Sequence, residues 1–265
     1  MAIEELPDPR VLLAETDWNT LGADWAERVE DYPVGPVSFT PMALAAFTCG
    51  DRGAVTRGLN HLSDALLHQG SLYGETGTAA LYIAALLADP GSQEALVPAW
   101  EAGRRPLRAK LLDWLAAVAD TVSDAMEEQR EEWGLSWASS PRFREVCALR
   151  PALFQGVSAC LADSDPVVRE AAIAAAVPLL DAPELVHHRA ELIPVLRSEL
   201  AASSEQGYRL VAIVGLQAWG EDTTTLAAHA ELIEYEHREK EWEEKRSAQG
   251  RAALHGPRVD DEPPF

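Results

Sequence analysis

The sequence is short of positive charge. Its 265 residues hold 22 Lys and Arg against 43 Asp and Glu, a net charge of −21, and lysine stands only at positions 110, 240 and 245. Neutralising phosphates with basic side chains supplies most nonspecific affinity for nucleic acid, so this balance excludes a basic nucleic-acid binder. Cysteine is equally scarce. Cys49, Cys147 and Cys160 are odd in number, widely spaced and form no CxxC pair, which excludes a disulfide scaffold or a thiolate zinc core and fits a reducing compartment. All three are expected to be small buried hydrophobes. No apolar run approaches the roughly 18 residues of a membrane span, and Met1 to Arg10 lacks the basic and apolar regions of a signal peptide. The expectation is a soluble, cytoplasmic protein that engages neither membrane nor nucleic acid.

What is present is an ordinary apolar fraction, 47%, enough to bury the core of one elongated domain or two small ones. Arginine in place of lysine, with abundant alanine, suggests a high-GC bacterial genome. The negative charge is distributed: it is densest over 1–50 and 221–265, and no segment is a pure acidic run. Such a surface is first of all a solvated one.

Asp163 to Gly220 carries the clearest pattern. Asp165 can cap a helix, Pro166 suits its first position and Glu170 adds a carboxylate early in it. Val168, Ala171, Ala172, Ala175, Ala176 and Leu179 then recur at helical spacing. The stripe returns 40 residues on in Tyr208, Val211, Ala212, Gly215, Leu216 and Trp219, with Arg169 matching Arg209. Between the copies, Leu185, Ile193, Leu196 and Leu200 mark another helix, with Pro194 placing a kink in it. A repeated helix pair of this period predicts a helical solenoid.

The stretch LADSDPVVREAAIAAAVPLL, Leu161 to Leu180, resembles a HEAT repeat, its Asp and Arg bracketing the turn into the second helix. His61 to Pro90 also resembles a group of bacterial HEAT-like proteins, common in actinobacteria, with a His-Gln-Gly…Tyr turn before an Ala-rich helix. The resemblance implies an all-α superhelix of antiparallel helix pairs, expected as a single domain over 1–246. Gln93 to Arg130 reads as two further helices separated near Gly103. An ordered insertion is expected over about 127–151, where Trp133, Trp137 and Pro141 break the pattern. Loops that interrupt a solenoid gather on one face, often the binding face. A charged capping helix is expected over about 226–246, and a disordered tail over 247–265.

Candidate chemistry is sparse. His68, Gln69, Tyr73 and Glu75 form a compact polar set; as catalytic groups they would give an acid/base pair and a phenol, as a structural turn they would bond free backbone groups at a helix end. No nucleophile or phosphate-cradling glycine pattern accompanies them. His187 and His188 diverge by about 100° on a helix, a poor geometry for one metal. The sequence has no His-Glu dipeptide, unlike HEAT-like metallohydroxylases, and a basic groove of the kind HEAT-like DNA glycosylases need is conceivable only around Arg104, Arg105, Arg108 and Lys110. Trp114 and Trp219 lie on apolar stripes and belong to the core, whereas Trp133 and Trp137 are either interface anchors or loop packing.

The reading that follows is a noncatalytic, acidic protein-binding solenoid with no cofactor and no metal. Its partner is expected to be a basic protein, such as a toxin that it neutralises, met through Trp133, Trp137, His68, Tyr73 and Glu75. A HEAT-like enzyme or accessory of the bilin-lyase type and a general scaffold are the alternatives.

Overall fold

The computed structural model describes residues 5–26, 38–92, 105–226, 229–235 and 237–238. Among these, eleven α-helices and one two-residue-per-strand hairpin form the expected all-α superhelical arrangement. In chain order the helices are α1 (Pro9–Glu15), α2 (Trp18–Ala26), α3 (Thr40–Ala45), α4 (Arg52–His61), α5 (Thr76–Ala88), α6 (Leu107–Thr121), α7 (Asp124–Glu132), α8 (Pro141–Ser158), α9 (Pro166–Leu179), α10 (Arg189–Ala202) and α11 (Gln206–Ala218). The hairpin, β1 (Leu67–His68) and β2 (Ser71–Leu72), joins α4 to α5. A further helical segment occupies 229–235. No described helix is long and apolar enough to cross a membrane.

The stacking rule is visible in which helices meet. The most extensive contacts are α5 with α8 and α6 with α9; α8 then packs on α9, α9 on α11 and α10 on α11. Helix pairs α5/α6, α8/α9 and α10/α11 therefore stack in two layers, with α7 and the loop after it inserted between the first two pairs. One core runs continuously from Trp18 to Leu232. At its centre, α5 is buried on nearly every side, as an apolar helix must be when other helices surround it.

The 40-residue repeat coincides with α9 and α11, whose first residues are Pro166 and Gln206. Asp165 caps α9 by accepting from the Val167 N–H, and Ala172, Ile173, Ala212 and Ile213 are all fully buried. Arg169 and Arg209 do the same work twice. Arg169 donates to the carbonyls of Asp163 and Ser164 and pairs with Glu199; Arg209 donates to those of Leu200 and Ser203 and pairs with Glu231. Arg108, at the start of α6, pairs with Asp163. A ladder of Arg–carboxylate links thus ties each helix pair to the next.

Several expectations change. Most of 127–151 is helix: α7 ends at Glu132 and α8 begins at Pro141, so the irregular segment is 133–140. Proline at the first helical position starts α8 rather than prolonging the loop. The C-terminal helix is described from 229, not 226; the remainder of that helix, the tail, and the helix expected between Gln93 and Gly103 lie outside the described residues. Cys160 is buried and Cys147 half-buried, but Cys49 is exposed. Trp114 is core, its Nε1 donating to the Leu62 carbonyl at 2.9 Å, whereas Trp219 is only half-buried, under the guanidinium of Arg189 at 5.5 Å.

Candidate functional site

The His-Gln-Gly turn is a β-hairpin. Gln69 and Gly70 take φ of 52° and 72°, the pair of positive values that a two-residue type I′ connection requires. Glycine adopts this without cost; Gln69 does not. The turn is held by backbone pairing of Leu67 with Leu72 and His68 with Ser71, not by His68 and Gln69 side chains bonding a helix end. The Thr76 hydroxyl fastens it to α5, donating to the Leu66 carbonyl at 2.6 Å and accepting from the Tyr73 N–H at 2.8 Å.

The compact polar set read from the sequence is split. His68 is exposed on the hairpin and Tyr73 is half-buried, while Glu75 is buried in a separate network. There its carboxylate accepts from the hydroxyls of Ser38 and, at 2.9 Å, Thr40, whose oxygen also lies 2.8 Å from His61 Nε2. Burial pushes the Glu75 carboxyl up, against the two hydroxyl hydrogen bonds that hold it down. Burial likewise lowers His61, with Asp64 opposing. Thr40 is fully buried, and this arrangement joins the start of α3 to the start of α5.

The hairpin instead faces the tryptophan loop. Helix α7 positions that loop through one carboxylate: Glu127 Oε1 accepts from Ser136 Oγ at 2.7 Å and from the backbone N–H groups of Trp137 and Ala138 at 3.1 and 3.3 Å. These bonds, the Ser136 contact foremost, hold Glu127 below the usual carboxylate range. Arg130, buried, donates to the Thr121 carbonyl at 2.8 Å and lies 4.2 Å over the Trp137 ring. A guanidinium over an indole is attractive through the ring quadrupole. Trp137 is thereby fixed against the body, leaving Trp133 60% and Leu135 55% exposed.

Between hairpin and loop lies a concavity of about 430 Å³, lined by Leu67, Gln69 and Gly70 on one side and by Met126, Arg130, Trp133, Leu135 and Trp137 on the other, with Ala117, Asp120 and Thr121 of α6 as its floor. A second concavity, about 530 Å³, adjoins it between α4 and α6. Leu67 and Ala117 line both, so the two form one groove along α6. Lys110, Asp113, Ala117 and Asp120 recur at spacings of three and four along its floor, one face of the helix. Trp133, Trp137 and the hairpin, separate features in the sequence, meet here; His68, Tyr73 and Glu75 do not line it.

Asp113 and Asp120 are open to water but crowded by the groove walls. That desolvation raises both carboxyls, with Arg105 opposing at Asp113 and Arg130 opposing at Asp120, where Asp181 adds to the rise. Asp113 is paired with Arg105 at 3.0 Å. Asp120 makes no ion pair among the described residues. The basic groove considered for Arg104, Arg105, Arg108 and Lys110 does not form from the described members, since Arg105 and Arg108 are each engaged by a carboxylate and Arg104 lies outside the described residues. His187 and His188 stack at 4.0 Å in a short 3-10 helix, His188 also packing on Phe154.

The sequence reading missed Asp120, Leu67, Arg130 and Leu135 as lining residues. Asp113 and Asp120 lie off the apolar stripe of their helix, but nothing local indicated that the hairpin and loop would wall them in.

Residues 149–174 match the model of the family described as HEAT repeat associated with sister chromatid cohesion. The match spans the end of α8, the turn and the start of α9, overlapping the stretch that carries the resemblance in the sequence. No curated protein and no solved structure matches the chain significantly. Together the matched segment and the stacked helix pairs support a HEAT-like repeat protein, an architecture suited to protein interaction.

Proposed function

We propose that this HEAT-like solenoid is a noncatalytic binding protein for a basic protein partner, and that the partner is a toxin such as a nuclease, neutralised in an immunity-type complex. The observation that carries the proposal is the pairing of two exposed apolar side chains, Trp133 and Leu135, with the unpaired Asp120 carboxylate across one groove. Large aromatics at the centre of an interface supply most of its binding energy, and flanking charges set register and encounter rate. The net charge of −21 extends the attraction beyond the groove; steering of this kind brings association to about 10⁸–10⁹ M⁻¹s⁻¹ at low salt. Because the Glu127 and Arg130 contacts hold the loop in place, little ordering cost is left to be met on binding.

The test is to produce the full chain with the product of the adjacent gene. A complex that forms at low salt, and protection against that product's toxicity, are the expected results. Absence of both contradicts the proposal.

A further inference from the structure

We infer that the α6 groove receives an amphipathic helix of the partner, its apolar stripe on Trp133, Leu135 and Leu67 and an arginine or lysine of its own against Asp120. This rests on the proposed function and specifies the segment that the partner must present.

The shape of the groove supports a helix. Its floor from Lys110 to Asp120 is eleven residues of α6, ten steps of 1.5 Å or about 15 Å, nearly three turns. Its walls are α4 on one side and, at the other end, hairpin and loop. A row of residues at spacings of three and four is the ridge that packs against a second helix, and an apolar helix face laid into such a groove is a recurrent mode of recognition. An added strand is disfavoured by the hairpin, whose strands have two residues each and pair with one another.

Charge selects the sign of the occupant. Of the charged groups along the floor, Asp113 at the far end is paired with Arg105 and also feels Lys110, and Arg130 is turned to the Thr121 carbonyl, Glu127 and the Trp137 ring. Of the two carboxylates that line the groove, Asp120 is the one that makes no ion pair among the described residues, and it stands beside apolar side chains. An incoming acidic residue there would face Asp120 in a crowded, partly desolvated setting, where like charges repel strongly. A basic one would pair with the exposed Asp120 carboxylate while its apolar neighbours pack on Trp133 and Leu135.

Two dansyl-labelled 15-residue helical peptides, one with a leucine stripe flanked by arginines and one with those arginines replaced by glutamates, titrated against the full chain by fluorescence anisotropy, test the inference. The Leu/Arg peptide is expected to saturate and the Leu/Glu peptide to bind at least about tenfold more weakly. Trp133→Ala is expected to weaken the Leu/Arg peptide about tenfold or more, as for a central aromatic anchor. Asp120→Asn should weaken it about threefold to fivefold, as for a partly solvated ion pair. Glu184→Gln, an exposed carboxylate away from the groove, should leave it unchanged. Equal binding to wild type, Trp133→Ala and Asp120→Asn, or equal weakening by Glu184→Gln, overturns the inference and leaves the partner reading intact. So does failure of the Leu/Arg peptide to bind while the adjacent gene's product still does. If that product does not bind either, it is the proposed function that fails.

Discussion

Glu75 illustrates how far a side chain's neighbours in space can differ from its neighbours in sequence. Beside His68 and Tyr73 it resembles part of an acid/base set; in the fold it holds Ser38 and Thr40, 37 and 35 residues away, with His61 behind Thr40. Those partners carry no motif, so no local signal pointed to them. Removing an acceptor from buried donors costs about 1–3 kcal/mol. Glu75→Ala is therefore expected to lower unfolding stability by that amount in urea, and Glu75→Gln by less, because the amide oxygen still accepts one hydroxyl. His61 carries a pH signature. Its folded pKa is below the ordinary 6.5, so the unfolded chain binds the proton first as pH falls, and the stability it contributes above 6.5 is lost as pH drops through the lowered folded value. Glu75 runs the other way, since its raised carboxyl favours the folded state at low pH and that gain is lost as pH rises. Comparison of variants separates the two slopes: His61→Gln is expected to lose less stability than wild type between about pH 6.5 and 5 in denaturant titrations, and an identical profile would contradict the network.

At the scale of elements, close approach of α5 and α8 sets the strictest demand. A Cβ at Gly156 would run into the backbone of Ala84, which cannot give way as a side-chain end could. Gly156→Ala is expected to cost about 1–3 kcal/mol or more through overpacking. Gly207, in the first turn of α11, has nothing within 4 Å of its Cβ position, so Gly207→Ala should stabilise by about 0.4–1 kcal/mol through the unfolded chain; thermal unfolding of the two variants checks both signs. The same contrast explains what could be read in advance. Helices α9 and α11 announced themselves because caps, stripe and repeat agreed. Helix α8 did not. Phe143, Val146, Leu153, Phe154 and Val157 keep helical spacing, but the buried Arg150 and the internal Pro151 interrupt the stripe, and Ser-Ser-Pro before it reads as loop. The hairpin was illegible for another reason: two residues per strand give no alternation, and the only signal was the Gln-Gly dipeptide.

At the scale of the molecule, the Arg108–Asp163, Arg169–Glu199 and Arg209–Glu231 links join successive helix pairs, and the inserted α7 and its loop break that regularity at one place. The interruption makes the groove. A regular solenoid presents the same ridge at each repeat, whereas here the hairpin before α5 and the loop after α7 close around a single stretch of α6. Composition indicated an acidic protein and the 40-residue periodicity a helical solenoid; neither could indicate that the two irregular segments would face each other, because that depends on α5 stacking on α8 across a long sequence separation. The account's central claim is that this groove, together with the distributed negative charge, captures a basic protein. The affinity of wild type and Trp133→Ala for the adjacent gene's product, measured by isothermal titration at low and high salt, tests it most directly. Wild type is expected to bind tightly at low salt and to weaken steadily as salt is raised, with Trp133→Ala weaker by about tenfold or more at every salt concentration. Affinity that ignores both the salt and the tryptophan would contradict the claim.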